Sequence, residues 1–536
     1  VGETIRPNTK RTGKVFSVGM RISESYLAPP KKACDVETES HLRLPRLRRR
    51  MYRQLPKGAV PGIAPICLDS NDPATIEDGF AARVLRNVDI DDEFGAKGIF
   101  ARQRVEGIKK LCPKHPKELK EFEDFVISEV TKLPKVDVGS VDFEKWVSSR
   151  DSYNENRKNQ LRKEFEQLRG GHPSRRQCQS IASFVKSESY PAQKHARMIN
   201  SRSDAFKAWA GPYVSAMEEI VYSHCPEFIK HTPVHERPAK IAALKQANMR
   251  YYSTDFTAFE SHFLPEVMES CENILYRYLL QDWDGIDLLC STNAGTNRMR
   301  TRSGVKAKCE GRRMSGDLWT SLGNGFTNLM LAKFLAWKQG KVLTGFVEGD
   351  DGLFATEAEQ FTAALYKRMY GFDIKLIEVL DPCSASFCGM IFADSGQIIR
   401  DPVRFLQTFG WTQSFIEAGP KVMHELLLAK CLSAIQETPH CPIVGAIARE
   451  CMKVCEGYHP RFIRDGYHQF LSDLSVPNFA PSEETRMLFQ ASFGVSCDDQ
   501  VELEAQIRRG DFSNIADVLN VNDDIRRAAN IYVEET

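Results

Sequence analysis

The chain has 536 residues, and its 72 Lys plus Arg nearly balance 71 Asp plus Glu, for a net charge of +1. With 42% hydrophobic and 27% charged residues it has the composition of a folded protein, which excludes a disordered chain. That length asks for about two to four domains or subdomains, and the charge balance leaves any polyanionic partner to be decided by local clusters. Fifteen cysteines at irregular spacing read as reduced thiols of a cytosolic compartment rather than a disulfide framework. No secretory signal is read at the start. The longest apolar candidate, LGNGFTNLMLAKFLAW (322–337), is short for a membrane span and carries Lys333 and two asparagines. The first residue is Val1, not Met, which reads as the start of a fragment or of a product cut from something longer.

In chain order, residues 1–60 are polar and basic. Within them, 42–58 holds six arginines, one lysine and no acid, interleaved with Leu42, Leu44, Leu47, Met51, Tyr52 and Leu55. Such a tract is a solvated arm or a phosphate-binding segment, and the interleaved apolar residues favour an arm docked on the body. Residues 80–170 are charged and helical, as in 116–133 and 154–171, the latter stopped by Gly170 and Gly171. From 246 to 400, short β-rich runs alternate with amphipathic helices. Beyond about 420 helices return: 421–437 places Met423, Leu426, Leu427 and Ile435 together, and 443–457 does so with Ile443, Ile447, Cys451 and Val454.

Two carboxylate sites stand out. TGFVEGDDGLFAT (344–356) reads as a hairpin whose reversal Gly349 and Gly352 permit. A plain turn needs one aspartate, whereas adjacent Asp350 and Asp351 repel unless a divalent cation joins them; oxygen ligands of this kind suit Mg²⁺. RYYSTDF (250–256) reads as a strand ending near Asp255, followed by one amphipathic helix over 265–282. If Asp255 and Asp350 meet, they complete a two-metal clamp. Between them, Ser315-Gly316-Asp317 reads as a flexible loop and helix N-cap. The helix that follows carries Thr320 and Asn324 on one face, as core residues or as readers of a ribose hydroxyl. The run 298–313 contributes seven basic residues, Arg298, Arg300, Arg302, Lys306, Lys308, Arg312 and Arg313, against Glu310. With the arginines of 43–53 it reads as a phosphate-binding surface. His440, Cys441, Cys451, Cys455 and His459 lie within twenty residues but match no usual zinc spacing, and core packing is the reading preferred for the cysteines.

The order Asp255 with Glu260, then Ser315-Gly316 with Thr320 and Asn324, then Gly349-Asp350-Asp351, resembles the palm of a viral RNA-dependent RNA polymerase. The GRRMSG and LGNG text is most similar to positive-strand viruses of the tombusvirus-like and nodavirus-like group. Upstream, 183–204 resembles the basic fingers motif that grips the triphosphate, with Lys186, Lys194 and Arg197 as phosphate contacts. Downstream, Lys375 stands where the family has its palm lysine, and 384–392 resembles the strand pair that supports the primer. The family usually has a second aspartate where this chain has Glu260, which reaches one methylene further.

The resemblance implies an α+β right-hand fold: a basic extension at 1–60, fingers at 61–245 and 282–313, an antiparallel palm sheet at 246–281 and 314–415, and a thumb at 416–536. It implies nucleotidyl transfer from NTPs with Mg²⁺, for which Mn²⁺ can substitute, held by Asp255, Asp350 and Asp351, with Lys375 protonating the leaving pyrophosphate. Glu260, Ser315, Gly316, Thr320 and Asn324 would hold the nucleotide. The partners implied are a single-stranded RNA template in a channel lined by the basic run 298–313 and the arginines of 43–53, the nascent RNA, and other viral replication proteins that anchor the enzyme at membrane-associated sites in the host cytoplasm. A reverse transcriptase, and a non-catalytic RNA-binding replication protein, are the alternatives.

Overall fold

The computed structural model describes residues 4–6, 16–17, 53–55, 72–86, 116–186, 188, 195–412, 414–462 and 476–521. At the centre is a four-stranded antiparallel sheet ordered Ile374–Val379, Arg250–Phe256, Asp351–Thr356, Leu343–Glu348. Strand side chains alternate between faces, so Tyr252 and Phe256 go one way with Phe354, and Tyr251 goes the other with Leu353 and Ala355. The first set joins the main core against Leu322, Phe326, Met330 and Phe334 of the helix Thr320–Trp337. That helix is apolar on nearly every side, as a helix must be when it is enclosed all round. The second set packs with Ile229, Ile241, Phe387 and Phe392, beneath a small sheet of Ser386–Phe387, Met390–Phe392 and Ile398–Ile399. Both faces are thus covered along the three strands Arg250–Phe256, Asp351–Thr356 and Leu343–Glu348, while the edge strand Ile374–Val379 has no buried residue and Asp255 opens to solvent.

A second sheet has six strands, ordered Phe16–Ser17, Thr4–Arg6, Lys306–Glu310, Thr296–Arg300, Ser180–Val185, Met198–Arg202. The helix Pro73–Ala82, capped by Asp72 through the Thr75 N–H at 3.1 Å, covers its apolar face with Ile76 and Phe80. The third core is helical, built by Pro420–Glu437, Val444–Lys453, Glu483–Phe493 and Cys497–Arg508. Met423, Leu426, Leu427 and Ile435 are buried there, but Val454 is exposed, because the second helix ends at Lys453 and the helical spacing no longer governs it. Of the basic arm, only 53–55 is described in the 42–58 tract; Arg53–Gln54 pairs with Trp411–Thr412, and Leu55 is fully buried in the helical core. The helix read over 265–282 is broken in two, Pro265–Ser270 and Glu272–Leu279, at the non-helical Cys271. Every described cysteine is free, and no described helix is long and apolar enough to cross a membrane.

His262 clamps the open end of the central sheet. Its Nε2 accepts the Asp373 N–H at 2.8 Å, so Nδ1 carries the proton and donates to the Ala258 carbonyl at 3.2 Å. The ring stacks on Phe372, and burial pushes its pKa down to about 4. Because the unfolded chain takes up this proton near pH 6.5 and the folded one only near 4, the stability held above pH 6.5 is lost as pH falls between those values. The variant His262→Gln keeps an acceptor but does not titrate. Thermal unfolding midpoints of the two proteins should therefore converge as pH falls from 7.5 to 5, and a constant gap would contradict the buried neutral ring.

Candidate active site

The hairpin reverses over two residues, Gly349 and Asp350, with Asp351 paired to Glu348. Gly349 has φ +66°, a conformation that side chains rarely adopt, so the turn needs glycine there. Gly352 is not part of the reversal; it lies in the following strand, opposite Thr254. Extending that register by one step brings Asp351 opposite Asp255, and Asp255 is itself paired with Lys375. Directly opposed residues share a face, so Lys375, Asp255, Asp351 and Glu348 form a row across the sheet. Glu348 is drawn off by Arg237 (3.0 Å), which leaves the aspartates to one another.

Their electrostatics reflect crowding. Burial raises the Asp350 carboxyl above the ordinary range, and Glu260 and Asp255 raise it further, against its own backbone N–H and Arg197. Burial, then Asp350, Asp255 and Glu348, push Asp351 up to about 7. These are oxygen donors that repel each other in partial burial, the donor chemistry that a hard divalent cation relieves. The turn is held from behind by Asn328, fully buried, whose Nδ2 donates to the Asp350 carbonyl at 3.2 Å. Asn328 lies one helical turn beyond Asn324, and that i, i+4 spacing was the signal in the sequence that could have marked it.

The Ser315-Gly316-Asp317 segment is not a flexible cap. Asp317 is buried and forms a two-pronged ion pair with Arg202, Nε–Oδ1 2.9 Å and Nη2–Oδ2 2.7 Å, with side chains 2% and 1% exposed. The Ser315 hydroxyl donates to the Met198 carbonyl at 2.8 Å and accepts the Asn200 N–H at 3.2 Å. A Cβ on Gly316 would stand 2.9 Å from the Asn200 carbonyl oxygen, so only glycine lets the loop lie this close to the strand Met198–Arg202. The Thr320 hydroxyl is turned to the Met314 and Asp317 carbonyls, which spends its proton inside the loop rather than on a ligand. The long side of this arrangement, Arg202 to Asp317, spans 115 residues and leaves no local trace in the sequence.

Glu260 follows the Asp255 strand in the turn Phe259–His262. It is gripped by Arg83, Nε–Oε1 2.7 Å and Nη2–Oε2 3.3 Å, an arginine the sequence reading did not single out. Asn324 does face the site's neighbourhood, with its Oδ1 accepting from Arg313 Nε at 2.9 Å. Arg313 therefore cannot line an RNA channel: it is 1% exposed and ion-paired to fully buried Glu272. Arg312, 2% exposed, is excluded from solvent contact with RNA in the same way. Both arginines turn inward because the strand Lys306–Glu310 ends before them, and the Arg312 and Arg313 N–H groups bond to the Phe263 and Glu260 carbonyls.

The other basic residues divide in two. Arg298, Arg300 and Arg302 are exposed, Lys306 and Lys308 half-buried, and the register Arg298↔Lys308 and Arg300↔Lys306 sets four of them on one face of the six-stranded sheet. Phe184, 54% exposed, stands on that face too, since Ala182 pairs with Arg300. Lys186 and Arg197 meet across Glu188, at 2.9 and 3.6 Å, and Arg197 acts on Asp350 as well; Lys194 lies outside the described residues. Among the described residues, the one group whose ligand atoms lie close enough together to hold a metal is Asp381, Cys383 and Asp394; the carboxylates of Asp255, Asp350 and Asp351 are neighbours across the sheet and turn but are not drawn together that tightly. Lys245 already bridges Asp381 and Asp394, so a cation is supplied by the chain. Cys441, Cys451 and Cys455 are buried among apolar side chains, as their packing role requires.

Two outcomes follow from these contacts. Arg202→Met leaves Asp317 buried without its partner and should cost about 3–5 kcal/mol of stability, read by denaturant unfolding. Asp350→Asn removes one charge from the crowded turn, so in chelator at pH 8 it should raise the unfolding midpoint while abolishing any midpoint shift on adding Mg²⁺; an unchanged Mg²⁺ shift would remove Asp350 from the metal set.

A family model described as viral RNA dependent RNA polymerase matches residues 102–391, more than half of the chain. The match contains the central sheet, the helix Thr320–Trp337 and every candidate residue from Lys186 to Lys375. No curated protein matches the chain. The matched span covers the crowded aspartates and the loop Ser315-Gly316-Asp317, and by it the chain belongs to the RNA-dependent RNA polymerases of positive-strand RNA viruses, enzymes that build RNA on an RNA template from NTPs.

Proposed function

We propose that this polymerase is a right hand of the tombusvirus-like or nodavirus-like kind, which replicates a viral RNA genome by nucleotidyl transfer at Asp255, Asp350 and Asp351. The division proposed is fingers at 61–245 and 282–313, palm at 246–281 and 314–415, thumb at 416–536, and a basic arm at 1–60. The observation that carries the reading is the register of the central sheet, which sets Asp351 opposite Asp255 with Asp350 in the adjoining turn. In the reaction the primer 3′-oxygen forms a bond to the α-phosphorus, the bond to pyrophosphate breaks, and the hydroxyl proton is lost. Asp255, Asp350 and Asp351 would hold Mg²⁺, which when bound lowers the pKa of the 3′-hydroxyl and stabilises the charge growing on the phosphate oxygens. Arg197 and Lys186 neutralise the triphosphate once it displaces Glu188 from between them. Lys375, beside Asp255 and exposed, is the proton donor to the departing pyrophosphate. Asn324 and Glu260 contact the ribose; Ser315, Gly316 and Thr320 support that contact by shaping the loop. The face bearing Arg298, Arg300, Lys306 and Lys308, with Phe184 as a stacking ring, binds single-stranded template without regard to sequence. Attachment to membranes in the host cytoplasm is assigned to another segment or to a viral partner protein.

Asp350→Ala should lower NTP incorporation on a homopolymer template by roughly a thousandfold or more, with the fold unchanged by circular dichroism. Incorporation at the wild-type rate would overturn the assignment. Replacing Arg298, Arg300 and Lys306 together by Gln should flatten the slope of log affinity against log salt by about 2, since each single-strand phosphate contact contributes about 0.7. A slope equal to that of the wild type would move the template elsewhere.

A further inference from the structure

Arg313 and Glu272 are an ion pair with side chains 1% and 0% exposed. Removing two charges from water is costly, and such a pair is weak evidence for stability, so the question is what it specifies. Every other polar group around it is committed. Glu272 Oε1 accepts from Asn293 Nδ2 at 2.8 Å and Oε2 from the Tyr276 hydroxyl at 2.9 Å. Asn293 Oδ1 accepts from Trp319 Nε1 at 2.9 Å and faces Arg313 Nη1. The guanidinium lies 4.3 Å from the centre of the Phe263 ring. With both ends of the fork anchored, the remaining donor, Nε, points at Asn324 Oδ1. The helix is shaped to this pair: a Cβ on Gly323 would collide with Glu272 Oε2 and stand 2.6 Å from Arg313 Nη2. The backbone N–H of Arg313 also donates to the Glu260 carbonyl at 3.0 Å, which ties the arginine to the other residue read as a sugar contact.

A guanidinium only donates, so the Asn324 atom facing it must be the carbonyl oxygen. The NH₂ end is thereby fixed away from Arg313, and no described residue accepts from it. We propose that Arg313 is the positioning residue for sugar selection: it locks Asn324 with its NH₂ presented to the nucleotide, while Arg83 holds Glu260 as the matching acceptor. A ribose 2′-hydroxyl both accepts and donates and satisfies the two, whereas a deoxyribose satisfies neither. This rests on Asn324 being a ribose contact, and deepens that reading by naming what sets its orientation.

The test compares kcat/KM for UTP and dUTP incorporation by the full chain. Arg313→Lys keeps the charge against Glu272 but lacks the planar fork. Asn324→Asp has the same shape and still accepts from Arg313, but has no N–H to donate. Each should lower the UTP/dUTP ratio by about tenfold or more, through UTP alone, while dUTP efficiency stays near wild type; a merely structural defect lowers both. The double variant Arg313→Lys with Asn324→Ala should discriminate no worse than Asn324→Ala alone. If Asn324→Ala loses discrimination while Arg313→Lys or Asn324→Asp keeps the wild-type ratio, the positioning role is overturned and the ribose contact stands. If Asn324→Ala itself keeps the wild-type ratio, the ribose contact falls and the inference with it. Should Arg313→Lys not fold, Asn324→Asp decides alone, because it preserves the buried pair.

Discussion

Like charges forced together at the open end of a largely enclosed sheet are the constraint around which the molecule is arranged. Asp255, Asp350 and Asp351 gain nothing from one another; burial and mutual repulsion raise the carboxyl pKa at Asp350 and Asp351. The sheet tolerates them because three of its strands are packed on both faces, by the helix Thr320–Trp337 on one and the small Ser386–Ile399 sheet on the other. The turn that carries Asp350 is pinned from below by Asn328, and the row is closed at its far side by Arg237 on Glu348. Local instability at the site is thus borne by a well-packed scaffold, the usual arrangement where function and stability conflict.

Around this end, the chain uses arginine–carboxylate pairs as fixtures, two of them buried and the third, Arg83–Glu260, partly exposed. Arg202–Asp317 anchors the loop beside the strand Met198–Arg202, Arg313–Glu272 anchors the face of the helix that carries Asn324, and Arg83 anchors Glu260. Each joins segments far apart in the chain; Arg202–Asp317 and Arg83–Glu260 are two-pronged, while Arg313 holds Glu272 by one Nη and reaches Asn293 and Asn324 with its other donors, a planar fork that a lysine does not reproduce. Together they give the site fixed walls before any nucleotide arrives, which reduces the ordering cost that binding must meet.

Much of this was legible in the sequence, and the reason is period. The hairpin around Asp350, the strand ending near Asp255 and the helix with Thr320 and Asn324 are all encoded locally, by alternation, by glycine at a positive φ and by apolar spacing. What was not legible is long-range charge pairing. Arg312 and Arg313 close a run of exposed basic residues and look like its continuation; only the fold, by ending the strand Lys306–Glu310 and turning the chain inward, separates them from it. Glu272 is fully buried because it pairs with an arginine 41 residues away, which no local pattern announces. Asp317 looks like a cap for the helix that follows, yet that helix starts at Thr320 without a side-chain cap, and the carboxylate is spent on Arg202. The helix break at Cys271 was equally hidden, since the apolar spacing runs on through it.

The arm near the start of the chain does two separate jobs. Thr4–Arg6 pairs with the strand Lys306–Glu310, and Leu55 fills a place in the helical core beside Gly410. A shortened protein that begins after residue 60 would lose both at once. The strand bearing Lys306 and Lys308 would become a bare edge with unsatisfied backbone groups, open to pairing with another molecule, and the void left by Leu55 would loosen a distant helix bundle. Trimming this basic tract therefore invites clumping during expression rather than a smaller working enzyme.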